Sequence, residues 1–181
     1  MDEHEDDRLV RAHLQGDRRA FEQLYQRHGR GIYAYLRLEA ASAAEDLLQE
    51  TFARLLRVLP SYRPEGRFAA YLYRIARNLV MDWHRRGRRQ LPWDQAGAER
   101  LRDPASPPDR LAADREEAHR LLRALPPEQR EVVVLREFLE LPFADIARLT
   151  GAPLGTVLAR MHRALDRLRR IAAETPEVKA R

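Results

Sequence analysis

The sequence predicts an all-α protein: two small helical domains joined by a proline-rich linker, the second domain carrying a helix-turn-helix. Three observations lead there. Strand signals are nearly absent, the best being Val132–Val133–Val134, which sits inside a helical pattern. Apolar residues recur at three- and four-residue spacing on both flanks of the chain. Between the flanks, residues 91–113 (LPWDQAGAERLRDPASPPDRLAA) hold four of the eleven prolines and keep no steady helical period. At 181 residues and 21.1 kDa the chain has room for one ordinary domain or two small ones.

The elements follow in order. A short helix is expected near Arg8–Gln15. A second starts after Asp17, whose side chain can cap a helix N-terminus, and runs towards His28. Gly29 and Gly31 are expected to interrupt it before Ile32–Leu38. Ser42-Ala-Ala-Glu45 reads as a capping box opening a helix over roughly 43–58. Pro60 and Ser61–Gly66 break the chain, and a long helix follows over roughly 67–88. Past the linker, Asp114–Leu125 is a helix ended by Pro126–Pro127, and the next runs from Pro127 to about Leu139. Phe143–Leu149 has helical spacing, Gly151 stands where a left-handed C-terminal residue is wanted, and Pro153 opens the last helix. Two helices joined by a tight glycine-containing turn make a helix-turn-helix.

Charge divides the chain as sharply as the breakers do. Of 33 basic residues, only Lys179 is not arginine; a GC-rich coding sequence accounts for much of that total, so position is more informative than count. Residues 1–62 carry a net charge of −2. Residues 63–89 set eight Arg against Glu65 and Asp82, and residues 144–172 set six Arg against Asp145 and Asp166. Two separate basic stretches of this kind are the footprint of a polyanionic partner.

Several function classes drop out. No apolar run is long enough for a membrane-spanning helix. The opening MDEHEDD has five acids and no Lys or Arg, the opposite of a signal peptide's basic start; it matches no motif and is expected to be disordered. A cytoplasmic location is expected. With no cysteine there are no disulfides, thiol nucleophiles or zinc–thiolate sites. The six histidines lack metal-ligand spacing, and no P-loop, GxSxG or GxGxxG is present. No metal, cofactor or catalytic residue is therefore expected.

Two helices carry the binding candidates. At 100° per residue, Phe68, Leu72, Ile75, Ala76, Leu79, Val80 and Trp83 share a face about 140° wide. Trp83 is accordingly expected in the core. Arg74, Arg77, Asn78, Met81 and Arg85 lie opposite, with Tyr71 on the border and Arg86, Arg88 and Arg89 following. A solvated face ordinarily mixes signs; this one is basic or neutral apart from Asp82, which favours nucleic acid. On the last helix, Val157, Leu158, Met161, Ala164, Leu165 and Leu168 form the apolar side, and Thr156, Arg160, Arg163, Arg167 and Arg170 cluster opposite within about 80°. A recognition helix turns its first residues to base edges and holds phosphates further along, which singles out Thr156, Arg160 and Arg163. Asp46, Gln49 and Glu50 recur at i, i+3, i+4, which alone means a wet helix face.

The segments AEDLLQETFARLLR, FAAYLYRIARNLVMDWHRR and LPPEQREVVVLREFLELPFADIARLTGAPLGTVLARMHRAL, in this order around a proline-rich linker, resemble the extracytoplasmic-function group of the sigma-70 family of bacterial RNA polymerase. The resemblance covers about residues 8–89 and 114–171. It implies a first domain (1–90) that binds core polymerase and opens the −10 element, a linker (91–113), and a second domain (114–181) that reads the −35 element. Asp46, Gln49 and Glu50 match the helix that docks on the β′ clamp helices. The loop Ser61–Gly66 and the helix after it match the region that captures a flipped-out nontemplate base, and Asn78 matches the asparagine lining that pocket. Tyr71, Arg74, Arg77, Arg85 and Arg86 would flank the single strand. Thr156, Arg160, His162, Arg163 and Arg167 would face the −35 element. The resemblance also implies contact with the β flap, a free state that is monomeric, and an anti-sigma factor as a further partner.

The chain departs from the family pattern in places. Relatives often have Lys or Arg and then Ser within GTVxxR; here these are Leu158 and Ala159. The loss of that cation implies a −35 element less dependent on the matching guanine, or one that sets a thymine methyl against these residues. The wheel equally allows Leu158 to be buried away from DNA. Glu140 stands where many relatives have Gly, a change expected to be tolerated. The rival reading is a stand-alone helix-turn-helix regulator with a sensor in its first half, but residues 43–89 show neither a ligand pocket nor a receiver-like acidic cluster.

Overall fold

The computed structural model describes residues 3–90 and 110–174; most of the expected linker, residues 91–109, lies outside them. Among the described residues there are eight α-helices, two short 3₁₀ turns and no strand. Helices α1 (Glu3–Leu14), α2 (Arg18–Glu39), α3 (Ala44–Val58) and α4 (Phe68–Gln90) belong to one compact unit, and α5 (Arg110–Arg123), α6 (Pro127–Glu137), α7 (Phe143–Thr150) and α8 (Leu154–Glu174) to another.

In the first unit α2 supplies the spine. Ala20, Leu24, His28, Ile32 and Leu36 recur every four residues, and all are buried. Asp17 caps the helix, its Oδ1 accepting from the Arg19 N–H at 2.9 Å. The expected break at Gly29 and Gly31 does not occur: α2 runs unbroken through both. A glycine costs a helix about 1 kcal/mol, whereas each buried leucine or isoleucine contributes roughly 1.5–3 kcal/mol, so the ridge wins.

Two further expectations do not hold. The capping box does not form, because Ala41–Ala43 makes a 3₁₀ turn and Ala43, not Ser42, is the N-cap of α3. Ser42 falls one position too early to reach the helix N–H groups. The acidic start is helical from Glu3, where α1 begins, and Asp6 and Asp7 are buried with Leu9 and Val10.

Helix α4 buries Phe68, Ala69, Leu72, Tyr73, Ala76, Leu79 and Val80. Tyr73, absent from the predicted face, is fully buried and meets the edge of Tyr35 with ring centroids 4.8 Å apart. Trp83 is not in the core: it is 36% exposed and lies against His84. No residue from 81 to 87 is buried, so the helix has outrun its neighbours by then.

In the second unit Val132–Leu135 are all buried, so the β-branched run is helix interior and not strand. Pro127 opens α6, and the Pro126 carbonyl accepts from Gln129 and Arg130 N–H at 3.0 Å each. Helix α7 ends at Gly151, whose φ of 70° is the left-handed conformation that glycine adopts without a Cβ penalty. The Pro153 carbonyl then takes the N–H groups of Thr156 and Val157, starting α8. Ile146, Val157, Met161 and Ala164 are buried.

Glu140 is the one non-glycine residue with positive φ (53°) among the described residues. Its substitution for glycine is thus not free: left-handed backbone costs an L-residue roughly 1–2 kcal/mol. Glu140→Gly relieves that strain against roughly 0.5–1 kcal/mol of extra chain entropy. In thermal denaturation it should melt above Glu140→Ala, which removes the side chain and keeps the strain, by about 1 kcal/mol in stability.

Candidate nucleic-acid interface

The apolar side of α4 is fixed against the bundle, which turns Arg74, Asn78, Met81, Arg85 and Arg86 out to solvent. Positions 74, 78, 81 and 85 form one stripe about 16 Å long. Arg77 is half-buried along its edge, its guanidinium 3.7 Å from the Met81 sulfur. Asp82 pairs with Arg85 one turn on. An exposed pair of this kind is worth under about 1 kcal/mol, so Arg85 can exchange it for a phosphate.

The stripe begins in an aromatic cluster. Arg74 lies over the ring of half-buried Tyr71 at 5.5 Å, and Tyr71 meets Tyr62 at 5.0 Å. Tyr62 stands edge-on to Phe68 at 5.8 Å. Tyr62 opens the 62–67 loop, in which Arg63, Pro64, Glu65 and Arg67 are exposed and Gly66 is buried with φ 67°.

The loop is tied to α1, a connection that the sequence reading missed. The Tyr62 hydroxyl donates to Asp7 Oδ1 at 3.1 Å, and the Gly66 N–H donates to Asp7 Oδ2 at 2.8 Å. Neighbouring Asp6 accepts from Arg27 Nε at 2.9 Å and pairs with His28 Nε2 at 2.8 Å. His28 in turn lies 5.2 Å from the Phe68 ring. The available signal was spacing: Asp6 and Asp7 stand three residues before Leu9 and Val10, which places the carboxylates on the buried face.

On α3, Asp46 and Gln49 are exposed at the N-terminal end, where negative charge suits the helix dipole. Glu50 is not a bare acid. It accepts from Arg54 Nε at 2.8 Å and Arg57 Nη2 at 3.0 Å, and the Arg54 hydrogen bond leads in holding its carboxyl below its usual range. The expected acidic-polar face is therefore mixed in charge.

On α8 the outward face is rotated from the predicted one towards Leu158, Ala159 and His162. Leu158 is 46% exposed, so it belongs to the outward face and not the core. His162, Arg163, Arg167 and Arg170 are also exposed, whereas Thr156 and Arg160 are half-buried. Arg160 lies 3.7 Å from Glu128, and the Arg163 Nε donates to the Ala159 carbonyl at 3.2 Å. His162 pairs with Asp166 at 3.2 Å. Among the described residues no cluster of metal ligands occurs, and no helix is long and apolar enough to cross a membrane.

These features define the class: an all-α protein of two helical units, each with an arginine-bearing outward face, the second unit a helix-turn-helix. Family models match both units. That described as Sigma-70 region 2 matches residues 24–90, and that described as Sigma-70, region 4 matches residues 115–168. The RNA polymerase sigma-H factor of Pseudomonas aeruginosa is 33% identical over 180 residues, covering 92% of this chain and 93% of the relative. The ECF RNA polymerase sigma factor SigE of Mycolicibacterium smegmatis is 36% identical over 160 residues, 83% of this chain but 60% of that longer relative. Among solved structures, CnrH in complex with the cytosolic domain of CnrY matches with a TM-score of 0.69 at 24% identity, covering 94% of this chain and 98% of that one. The sigma factor RpoE in complex with the anti-sigma factor NepR from Bartonella quintana matches with a TM-score of 0.60 at 23% identity, covering 83% and 94%. The two structures share the fold. The chain belongs to the extracytoplasmic-function group of the sigma-70 family of RNA polymerase sigma factors.

Tyr62 yields a pH test. Burial first, then the Asp7 charge and hydrogen bond, raises its phenol well above the ordinary value of 10.0. A raised phenol favours the protonated folded state, so its contribution is whole below pH 10 and is lost as pH climbs towards the folded value. Tyr62→Phe should be less stable than the native chain at pH 7, by about 1.5–3 kcal/mol for a hydrogen bond to a charged group. In denaturant titrations that gap should narrow steadily above pH 10.

Proposed function

We propose that this chain directs core RNA polymerase to its promoters through three surfaces. Helix α8 enters the major groove of the −35 element, α4 and the 61–66 loop hold the nontemplate strand of the −10 element, and α3 docks on the β′ clamp helices. The boundaries that go with this reading are 1–90, 91–113 and 114–181. One observation carries it: the two family matches occur in the family's order, and each includes one of the two outward arginine faces.

Each face has a physical role. On α4, Asn78 presents an amide to the hydrogen-bonding edge of an extruded base, whose unstacking costs a few kcal/mol. Arg74, Arg77, Arg85 and Arg86 hold the strand's phosphates, and Tyr71 with Arg74 offers a stacking surface. Binding the melted strand better than the duplex shifts the equilibrium towards the open form, and the polymerase does the chemistry. On α8, Arg163 and His162 face base edges with Thr156 and Arg160 beside them, and Arg167 lies further along towards phosphate. On α3, Asp46, Gln49 and the Arg-paired Glu50 form the polymerase contact. The β flap is a second polymerase contact, for the second domain.

The chain makes and breaks no covalent bond itself and works in the cytoplasm with the transcription machinery. It is a monomer when free, and an anti-sigma factor holds it inactive, as the solved likeness of RpoE with NepR suggests by analogy. A stand-alone regulator is disfavoured because the first half matches region 2 and not a sensor.

Mixed with core polymerase, the purified chain should co-elute with it and start run-off transcripts at defined sites; a chain that does neither refutes the reading. Asn78→Ala should reduce transcription from duplex promoters and spare premelted ones. Because Leu158 and Ala159 are exposed and uncharged, selection from random DNA should return −35 sites without a strictly required guanine opposite residue 158. Leu158→Arg should create such a preference, worth about 1–3 kcal/mol.

A further inference from the structure

The acidic start of α1 takes no part in the polymerase or promoter contacts just proposed, yet two of its carboxylates are buried. Asp6 is answered from α2 by Arg27 and His28. Asp7, 3% exposed, takes its hydrogen bonds from the 62–66 loop, one oxygen from the Tyr62 hydroxyl and the other from the Gly66 N–H. These donors stand at the two ends of the loop, and the residues between them, Arg63, Pro64 and Glu65, are exposed. Tyr62 is further held by the Phe68 and Tyr71 rings, and Gly66 by its left-handed turn. With both ends bound to one carboxylate, few conformations are open to the exposed segment between them.

We propose that Asp7 is a positioning residue for base capture: by holding Tyr62 and Gly66 it fixes the loop that receives the displaced nontemplate base. This rests on the base-capture reading of that loop given above. Without Asp7, a half-buried hydroxyl and a buried N–H lose their shared acceptor, and the loop exchanges among conformations that satisfy them elsewhere. Apparent affinity for the displaced base then falls by the fraction of time the loop is competent. The polymerase contact on α3 draws on none of these groups and is left as it was.

The test uses holoenzyme reconstituted with native, Asp7→Ala, Asp7→Asn and Tyr62→Phe chains. It measures affinity for single-stranded nontemplate oligonucleotides carrying each of the four bases at the displaced position. Affinity for core polymerase is measured in parallel. Asp7→Ala is expected to bind the preferred oligonucleotide about tenfold or more weakly and to discriminate less among the bases, with core affinity unchanged. Asp7→Asn, which keeps an oxygen for Gly66, should recover part of both, and Tyr62→Phe should lose less than Asp7→Ala. Native affinity and base preference in Asp7→Ala overturn the proposal, as does an equal loss of core binding, the mark of general unfolding. Should Asp7→Ala not fold, unaltered base preference in both Asp7→Asn and Tyr62→Phe overturns it. A native holoenzyme with no base preference removes the base-capture reading itself, and this proposal with it.

Discussion

The two-sided character of α4 governs both how the first unit is built and what it shows to solvent. Phe68, Leu72 and Tyr73 are fully buried, and each large apolar side chain contributes roughly 1.5–3 kcal/mol by leaving water. The exposed ion pair on the same helix, Asp82 with Arg85, is worth under about 1 kcal/mol. The inside therefore sets the rotation of the helix, and the outside follows. Arg74, Asn78 and Arg85 point outward because positions four and seven residues along a helix share a face; the weak surface contacts of Arg74 with Tyr71 and of Arg85 with Asp82 follow from that placement. A surface positioned in this way is rigid in its backbone and free in its side chains, which suits a strand whose phosphates must be followed and whose bases must be sampled.

Much of this was readable in advance, and the misses have physical causes. Periodicity found α4 and α8 because their apolar positions repeat over three or more turns. It erred at Gly29 and Gly31 because a local breaker signal was given more weight than the four-residue ridge from Ala20 to Leu36 that runs through them. The capping box failed by one residue: Ser42 and Glu45 have the right spacing, but the 3₁₀ turn moves the cap to Ala43. The wheel angle of Trp83 points to the core, but a wheel contains no information about where the neighbouring helices stop. Tyr73 was passed over for the converse reason, since Tyr35 across the bundle gives it a partner that no local pattern reveals.

The second unit shows how a small rotation changes chemistry. Reading α8 by residue type groups Arg160, Arg163, Arg167 and Arg170 on one side. The structure instead buries Val157, Met161 and Ala164 and leaves Leu158 outside, so the outward face centres on Leu158, Ala159, His162 and Arg163. If α8 reads DNA as proposed, an apolar side chain at the middle of that face cannot form bidentate hydrogen bonds to a base, but it can meet a thymine methyl. Arg160 sits at the border of that face, 3.7 Å from Glu128. On the proposed reading, specificity and affinity fall to different residues of one helix.

The buried carboxylates make the strongest case that stability alone does not explain the first unit. A charge taken out of water carries a penalty of several kcal/mol, and replacing such groups with apolar ones of like volume is often neutral or stabilising. Asp6 recovers much of that penalty from Arg27 and His28. Asp7 recovers its share from a phenol and a backbone N–H, which carry no charge but are strongly directional. Apolar residues at both positions would still fill the space beside Leu9 and Val10. They would not choose among the conformations of a glycine-containing loop, because dispersion contacts are nearly indifferent to direction, whereas a carboxylate accepts only along its lone pairs. What Asp7 adds is thus a preferred shape for residues 62–66, imposed from more than fifty positions away in sequence.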